Sequence, residues 1–212
     1  MYKIFITALL LSISFNSTAI AEEEKESKKV MISPNLYSIE VMHNDEKVVI
    51  KRNQDRTNTI SKYYQATYRG KIQPVSPFKP HAVETIGTLE MIDYLKQLEQ
   101  NSDSLIIIDS RTKAWVKRGT IPSSVNIPFT EFKKDDRAIE IMEDEFDVIN
   151  TGSALNFNNA KTLVMYCNGI WCGQSPTAIK KLLNFGYPAA KIKYFRGGMQ
   201  NWESLGLTVV AP

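Results

Sequence analysis

Both cysteines of the 212-residue chain lie in one short segment, VMYCNGIWCGQSPTAIKKLL, at positions 164–183. Cys167 and Cys172 have four residues between them. This spacing leaves three kinds of chemistry open: a nucleophile with a helper, a disulfide, or half of a metal site. The metal site is the least favoured, because structural zinc takes four ligands and the only histidines, His43 and His81, are distant in the sequence. We therefore predict no metal and no other cofactor.

A strand and a helix are predicted to flank Cys167. The apolar run TLVMY, residues 162–166, is typical of a buried parallel strand and ends directly before this cysteine. Ser175 as N-cap and Pro176 at the first helical position predict the start of a helix, and Gly186 predicts its end. Ligands of open α/β sheets bind at the carboxyl ends of strands, which is where Cys167 is expected.

The loop between Cys167 and this helix is predicted to activate the thiol. Gly169 and Gly173 let the backbone curl so that successive N–H groups point inward and bind an anion. Such a nest, together with a helix N-terminus, lowers the pKa of a thiol, whose deprotonated form is the nucleophile. Since neither histidine lies nearby to act as a base, we expect the nest to perform the activation.

The N-terminal part of the chain predicts export and a small extension. Residues 1–21 combine a lysine, an apolar run and a closing Ala-Ile-Ala, which is typical of a cleavable secretory signal. The apolar run is too short to span a bilayer, so we expect no stable membrane insertion after cleavage and a periplasmic or otherwise exported protein. Residues 22–83 are predicted to hold a charged leader, a β-hairpin that turns at Asn44 and Asp45, and an irregular linker at 57–82.

Strand and helix signals alternate from residue 84 to residue 212. This alternation predicts an open α/β fold, in which helices flank a parallel sheet. The first helix is expected to start near Thr88 and to bury a face made of Leu89, Ile92, Leu95 and Leu98. The net charge of +3 is spread along the chain, so the composition gives no indication of nucleic-acid binding.

Four segments in order make residues 84–212 similar to the rhodanese-like (sulfurtransferase) domain family. IIIDSRTKAWVKRGTIPSSVNIP resembles the first motif of that family, an Asp-x-Arg followed by an aromatic residue and Gly-x-Ile-Pro-x-x-x-Asn. VMYCNGIWCGQS resembles its strand and active-site loop. LLNFGYPAAKIKYFRGGMQNW is similar to its Gly-Tyr, strand, Gly-Gly and Trp pattern, and LGLTVV to its usual ending. With the signal sequence, the resemblance implies an exported bacterial member.

The resemblance also implies a mechanism. By motif match, Cys167 attacks the outer sulfur of a thiosulfate-type or polysulfide-type donor, carries that sulfur as a persulfide, and passes it to a thiophilic acceptor. The implied substrate is a small sulfur-containing anion or a thiol. Asp109 and Arg111 match residues at the wall of the family's active site, where they order loops and offer charge. The implied cradle for the persulfide consists of Asn168, Gly169, Ile170, Trp171, Cys172, Gly173, Gln174 and Ser175.

The loop departs from the family pattern in length and charge. Seven residues separate Cys167 from Ser175, two more than is usual in the family, and residues 168–179 contain no Lys or Arg. Gln174 stands where the family often has an arginine. A larger loop without a cation has a weaker attraction for a dianion such as thiosulfate.

The second cysteine leaves several functions open. Cys172 could resolve the persulfide, form a disulfide with Cys167, or be a buried bystander. One alternative to the sulfurtransferase is a catalytically weak or inactive binding module that docks on a periplasmic redox protein. Another is a thiol-disulfide redox protein that uses both cysteines.

Overall fold

The computed structural model describes residues 29–101 and 103–212. The predicted signal sequence at residues 1–21 and nearly all of the charged leader lie outside the described residues. Within the two described ranges, no helix has the length and apolar character needed to cross a bilayer.

An N-terminal hairpin precedes alternating strands and helices in the described part of the chain. The strands are β1 (Ser38–His43), β2 (Glu46–Lys51), β3 (Glu84–Ile86), β4 (Leu105–Asp109), β5 (Val125–Asn126), β6 (Ile149–Asn150), β7 (Leu155–Asn156), β8 (Thr162–Tyr166) and β9 (Ile192–Phe195). The helices are α1 (Thr88–Gln100), α2 (Lys113–Val116), α3 (Asp135–Phe146), α4 (Gln174–Asn184) and α5 (Gly198–Ser204), with short 3-10 helices at Phe129–Lys133 and Ala189–Lys191.

The central sheet contains the strands β3-β9-β8-β4-β5 in that order, and all of its neighbours are parallel. Ile107 of β4 lies beside Val164 of β8, which in turn lies beside Lys193 of β9. β8 is the central strand, with β9 and β4 on either side of it, and all five residues of β4 are buried. The predicted open parallel sheet flanked by helices is confirmed.

Helices cover both faces of this sheet. Alternate residues of β4 and β8 therefore enter two separate cores. One core lies between the sheet and helices α3 and α4, and it includes Ile108 and Met165. The other lies between the sheet, α1, α5 and the hairpin, and it includes Ile107 and Val164. Burial on both faces explains why these strands read as uninterrupted apolar runs.

The hairpin formed by β1 and β2 is confirmed at its predicted place. Asn44 and Asp45 have φ angles of 50° and 63°, as the two central residues of a type I′ turn require. Ile39, Val41 and Ile50 are buried in the same core as α1 and α5. The hairpin therefore shares the hydrophobic core of the parallel sheet.

The buried face of α1 differs from the prediction. Leu89 is 50% exposed, whereas Met91 is buried beside Ile92 and Leu95. Leu98 is only partly buried. An α-helix turns by about 100° per residue, so each step of three residues is about 60° short of a full turn. Leu89 and Leu98 therefore point to opposite sides of the helix. The predicted buried face, with one residue at every third position, is wrong.

A buried ion pair closes the carboxyl end of β4. Arg111 Nε donates to Asp109 Oδ1 at 2.8 Å, and Arg111 Nη2 donates to Asp109 Oδ2 at 2.5 Å. The carboxylate also accepts hydrogen bonds from Thr120 Oγ1 at 2.8 Å and from Tyr166 Oη at 3.1 Å. Arg111 Nη2 further donates to the Gly119 carbonyl at 2.6 Å. Since Asp109 and Arg111 are 0% and 1% exposed, each charge depends on the other for compensation.

Replacing Asp109 with Asn should destabilise the fold by about 3–5 kcal/mol, because the charge of Arg111 then stays buried without a partner. Urea unfolding followed by circular dichroism measures the change. Asp93→Asn is the control, since Asp93 pairs with Lys96 in an exposed ion pair and its loss should leave the unfolding midpoint near that of the parent. Equal midpoints for the two variants would contradict the role assigned to the buried pair.

Candidate active site

The structure places Cys167 directly after β8, at the carboxyl end of the central sheet. Residues 168–173 form the loop that leads into α4. The exposed fractions of Cys167 and Cys172 are 2% and 4%, and neither cysteine is in a disulfide. Of the other predicted loop residues, Asn168, Gly169 and Ser175 are buried, Trp171 and Gln174 are half-buried, and Ile170 and Gly173 are exposed.

The start of α5 fixes the start of the loop. Backbone N–H groups of Met199 and Gln200 donate to the carbonyls of Cys167 and Asn168 at 3.0 and 2.8 Å. Gly198, which has a φ angle of +53°, makes this approach feasible because a Cβ atom there would lie 2.2 Å from the Cys167 carbonyl oxygen. The Gly-Gly pair of the sequence pattern therefore holds the backbone on which the reactive thiol sits.

Cys167 is held as a neutral thiol in this closed loop. Burial raises its pKa well above the ordinary value, and the adjacent Cys172 raises the pKa further. Cys167 Sγ also donates to the Cys172 carbonyl oxygen at 3.5 Å, and a carbonyl acceptor favours the protonated form. The backbone N–H and the hydroxyl of Ser175 act in the opposite direction and favour the thiolate.

Cys172 is the more acidic thiol of the two. A hydrogen bond from Cys167 and backbone N–H groups of Asn168 and Gln174 lower its pKa to about 7, although burial opposes them. The Asn168 side chain adds a contact from Nδ2 to Cys172 Sγ at 3.9 Å. Some of the backbone N–H groups of the loop therefore act on Cys172 and others on Cys167. This differs from the prediction, in which all of them face Cys167.

The N-terminus of α4 lies two residues earlier than predicted. Gly173 is the N-cap and Gln174 is the first helical residue, and no side chain caps the helix. Ser175 was predicted to be the cap, but its side chain is buried, and its hydroxyl has no hydrogen-bond partner among the described residues. Ser175 is the second residue of α4, so it lies inside the helix and not at the position of an N-cap.

Hydrogen bonds through Tyr64 connect the predicted wall residues, Asp109 and Arg111, to the loop. Tyr64 was not among the residues predicted from the sequence. Arg111 Nη1 donates to Tyr64 Oη at 3.2 Å, and Tyr64 Oη donates to Asn168 Oδ1 at 3.0 Å. Gln200 Nε2 holds the Tyr64 carbonyl oxygen at 3.1 Å. Asp109 and Arg111 are therefore positioning residues, because their hydrogen bonds orient the loop without direct contact with either sulfur atom.

A strap, defined here as residues 61–78, lies across the loop. The N–H of Gln73 donates to the Ile170 carbonyl at 2.8 Å, and the Gln73 carbonyl accepts two hydrogen bonds from the Arg196 guanidinium at 3.0 and 2.6 Å. Gly70 has a φ angle of +57°, and a Cβ atom there would lie 2.4 Å from the Trp171 carbonyl oxygen. The irregular segment predicted at 57–82 is thus part of the site, and its lack of periodicity hid that role.

Trp171 is half-buried on the inner side of the strap. Its Nε1 donates to Gln200 Oε1 at 2.9 Å, and its ring lies 6.4 Å from that of Trp115, centroid to centroid. The ring of Trp115 stacks in turn on that of Tyr64 at 5.8 Å. The loop, the strap and α2 therefore meet in one aromatic cluster.

Across residues 29–101 and 103–212, no group of three or more His, Cys, Asp or Glu side chains is placed to hold a metal ion. The two histidines lie away from the loop in sequence, and His43 contacts the backbone of Ser123 and Ala211. The reactive groups that the structure brings together in the loop are the two thiols, with backbone amides around them.

In the reduced protein, a thiolate should form with a midpoint near pH 7, because the pKa of Cys172 is lowered to about 7. The ultraviolet absorbance of thiolate, recorded against pH, measures this midpoint. In Cys172→Ser the midpoint should move above the ordinary range of cysteine, since burial raises the pKa of the remaining Cys167. A midpoint near pH 7 that persists in Cys172→Ser would show that the acidic thiol has been misassigned.

Comparisons with known proteins agree with the motif-based expectation. A model of the rhodanese-like domain family matches residues 91–205. Among solved structures, a rhodanese-related protein of Thermoplasma volcanium is 22% identical, with 61% of this chain and 99% of that chain covered and a TM-score of 0.40. A single-domain sulfurtransferase of Saccharomyces cerevisiae is 19% identical, with 61% and 95% covered and a TM-score of 0.41.

A third structure, of a Rhodopseudomonas palustris protein described as a possible tyrosine phosphatase, is 22% identical, with 69% and 98% covered and a TM-score of 0.44. No curated protein matches the chain. The family match extends over more than half of the 212 residues and includes the ion pair at Asp109 and Arg111, both cysteines and the Gly-Gly pair. The chain therefore belongs to the rhodanese-like domain family.

Proposed function

We propose that the protein is a sulfurtransferase that carries sulfane sulfur as a persulfide on Cys167. The observation that carries this proposal is the position of Cys167: it ends a central parallel strand in a rhodanese-like domain, and a loop with inward amides leads from it to a helix N-terminus. Sites of open α/β sheets lie at this edge. The donor is a small sulfur-containing anion, and the acceptor is a thiol or another thiophilic nucleophile.

The first step of the proposed sulfur transfer is the movement of a proton from Cys167 to Cys172. Cys172 in its thiolate form accepts the proton of the neighbouring Cys167 thiol, which lies against the Cys172 carbonyl oxygen. This proposal gives the site a base where no histidine is at hand. The backbone N–H of Ser175 then stabilises the negative charge on Cys167. Because burial makes the thiolate form of Cys167 costly, Cys167 stays protonated until the donor is bound.

The sulfur step is a displacement. The Cys167 thiolate attacks the sulfane sulfur of a donor such as thiosulfate, a new S–S bond forms, and the old S–S bond breaks with its electron pair leaving on sulfite. The acceptor thiolate then attacks the outer sulfur of the persulfide, and the Cys167 thiolate leaves. No net oxidation of the protein occurs in this cycle. The backbone N–H of Ser175 supports it because this group favours the negative charge on Cys167.

The reduced protein incubated with thiosulfate or a polysulfide should gain about 32 Da, the mass of one sulfur atom in a persulfide. Intact-mass spectrometry under non-reducing conditions measures this gain. Cys167→Ser should show none of it, while Cys172→Ser should retain the ability to form the adduct, because only Cys167 bonds to the sulfur. An adduct of the same size on Cys167→Ser would place the sulfur elsewhere, and no adduct on the parent protein with any donor would sink the proposal.

A second candidate function, thiol-disulfide chemistry, is favoured by the contact between the two thiols. Cys172 can attack Cys167 Sγ of the persulfide, form the disulfide and release the outer sulfur as hydrogen sulfide. Two electrons then reside in the released sulfide, so an external dithiol must reduce the disulfide before another cycle. Both thiols are free and lie in the same loop, and Cys167 Sγ is 3.5 Å from the Cys172 carbonyl oxygen, so the two residues are already neighbours.

If Cys172 resolves the persulfide, Cys172→Ser should lengthen the lifetime of the adduct at least about tenfold, because the internal attacking thiolate is missing. The measurement is the decay of the persulfide mass after removal of the donor, with released sulfide assayed in parallel. The parent should lose the adduct and become about 2 Da lighter than its reduced form, as a disulfide requires. Identical decay in the two proteins would leave Cys172 as a base only and exclude the redox function.

We also propose that the protein works in an exported compartment, most simply a bacterial periplasm. The support is the signal-like composition of residues 1–21. In an oxidising compartment a periplasmic redox protein is the fitting partner for the second candidate function, since the Cys167–Cys172 disulfide would have to be reduced there.

A further inference from the structure

The loop of this site contains no cation of its own, since residues 168–179 include neither Lys nor Arg. A nearby cation strengthens the binding of a small anionic donor beyond what backbone N–H groups provide. Arg69 of the strap is the basic side chain placed against the loop: its Cζ lies 5.6 Å from the ring centroid of Trp171 and 5.4 Å from that of Trp115. A cation therefore reaches the rim of the loop from a segment outside the family match.

Arg69 is held in place but is not neutralised. No carboxylate among the described residues forms an ion pair with it, and its Nε is buried without a hydrogen-bond partner in that part of the chain. Arg111, by contrast, directs its guanidinium to Asp109. Contact with indole rings stabilises a guanidinium through its charge and leaves its N–H groups free to donate. An arginine in this state is suited to receive an anion.

The position of Arg69 is tied to the backbone of the loop. Gly70 packs directly against the Trp171 carbonyl, and the N–H of Gln73 is bonded to the Ile170 carbonyl. Arg69 therefore keeps its register with the loop as long as the strap is closed. Arg118 adds a second positive charge, because its Cζ lies 4.4 Å from the ring centroid of Trp115.

The surrounding stretch strengthens this charge. Residues 56–83 contain no Asp or Glu, and their basic residues are Arg56, Lys62, Arg69, Lys71 and Lys79. A region with one sign of charge raises the local concentration of counter-ions and steers them toward the site. The strap thus has the charge that the loop lacks.

We propose that Arg69 is the anion-recognition residue of this site, and that it binds the charged end of a small sulfonate-type or carboxylate-type sulfur compound while the sulfane sulfur faces Cys167. This inference rests on the proposed sulfurtransferase function for the identity of the donor. The anion preference itself is a property of the rim and exists whether or not sulfur is transferred. It can therefore be tested separately.

Two alkylating probes of nearly equal size separate charge recognition from access. Iodoacetate is an anion and iodoacetamide is neutral, and in both cases the Cys167 thiolate displaces iodide. In the Cys172→Ser background, where Cys167 is the only thiol, the ratio of the two rate constants reports anion recognition alone. A change in access to Cys167 alone alters both rates together, whereas loss of charge recognition lowers the iodoacetate rate selectively. Intact-mass spectrometry gives each rate.

Arg69→Gln should lower the iodoacetate-to-iodoacetamide ratio about tenfold, and rising salt should lower the ratio of the parent toward that of the variant. Arg56→Gln is the matched control: it removes the same charge from the same basic stretch at an exposed position and should change the ratio by less than about twofold. An unchanged ratio in Arg69→Gln, or equal losses in the two variants, would overturn the proposal.

The persulfide reaction with thiosulfate then links the two proposals. If the parent forms the persulfide and Arg69→Gln forms it about tenfold more slowly, Arg69 serves the sulfur donor. If the parent forms no persulfide while the alkylation ratio still falls in Arg69→Gln, the sulfurtransferase function fails and the anion site stands. If the persulfide forms at equal rates in the parent and in Arg69→Gln, Arg69 does not recognise the donor and the inference is wrong.

Discussion

The ion pair between Asp109 and Arg111 is the interaction on which the site depends, because hydrogen bonds lead from it to the strand before Cys167, to the strap and to the loop. Its carboxylate holds Tyr166, the last residue of the strand that carries Cys167. Its guanidinium holds Tyr64 of the strap, which in turn holds Asn168 of the loop. Two buried charges are costly to desolvate, and this geometry repays the cost only when both are satisfied. The cost is consistent with a role in orientation more than in stability.

The pKa values of the two thiols differ because their hydrogen bonds differ, although both thiols are buried. Both are buried, and burial alone raises the pKa of each. Cys172 receives two backbone amides and a hydrogen bond from its neighbour, whereas Cys167 faces a carbonyl oxygen. The nearest donors therefore decide which sulfur becomes charged first. In the mechanism that we propose, one loop supplies an acid and a base of the same residue type, and no catalytic histidine is needed.

The sequence predicted the parts of the fold that rest on local patterns. The apolar runs of β4 and β8, the Asn-Asp turn of the hairpin and the helix stop at Gly186, which has a φ angle of +89°, are all present in the structure. The three-residue strand β3 carries too few residues for a periodic signal. The division of the loop amides and the placement of Tyr64 and Arg69 could not be predicted, because both depend on contacts between segments distant in sequence.

The attachments of the loop explain where its additional residues must go. Its first two carbonyls are bonded to the start of α5, its end is the first turn of α4, and Ile170 is bonded to the strap. Between Ile170 and the start of α4 the loop has three residues, Trp171, Cys172 and Gly173, so this is the span in which additional residues can be accommodated. Cys172 is at the centre of that span, and its side chain is buried. Deleting any two consecutive residues of the span would therefore remove Cys172 together with the space that its side chain occupies.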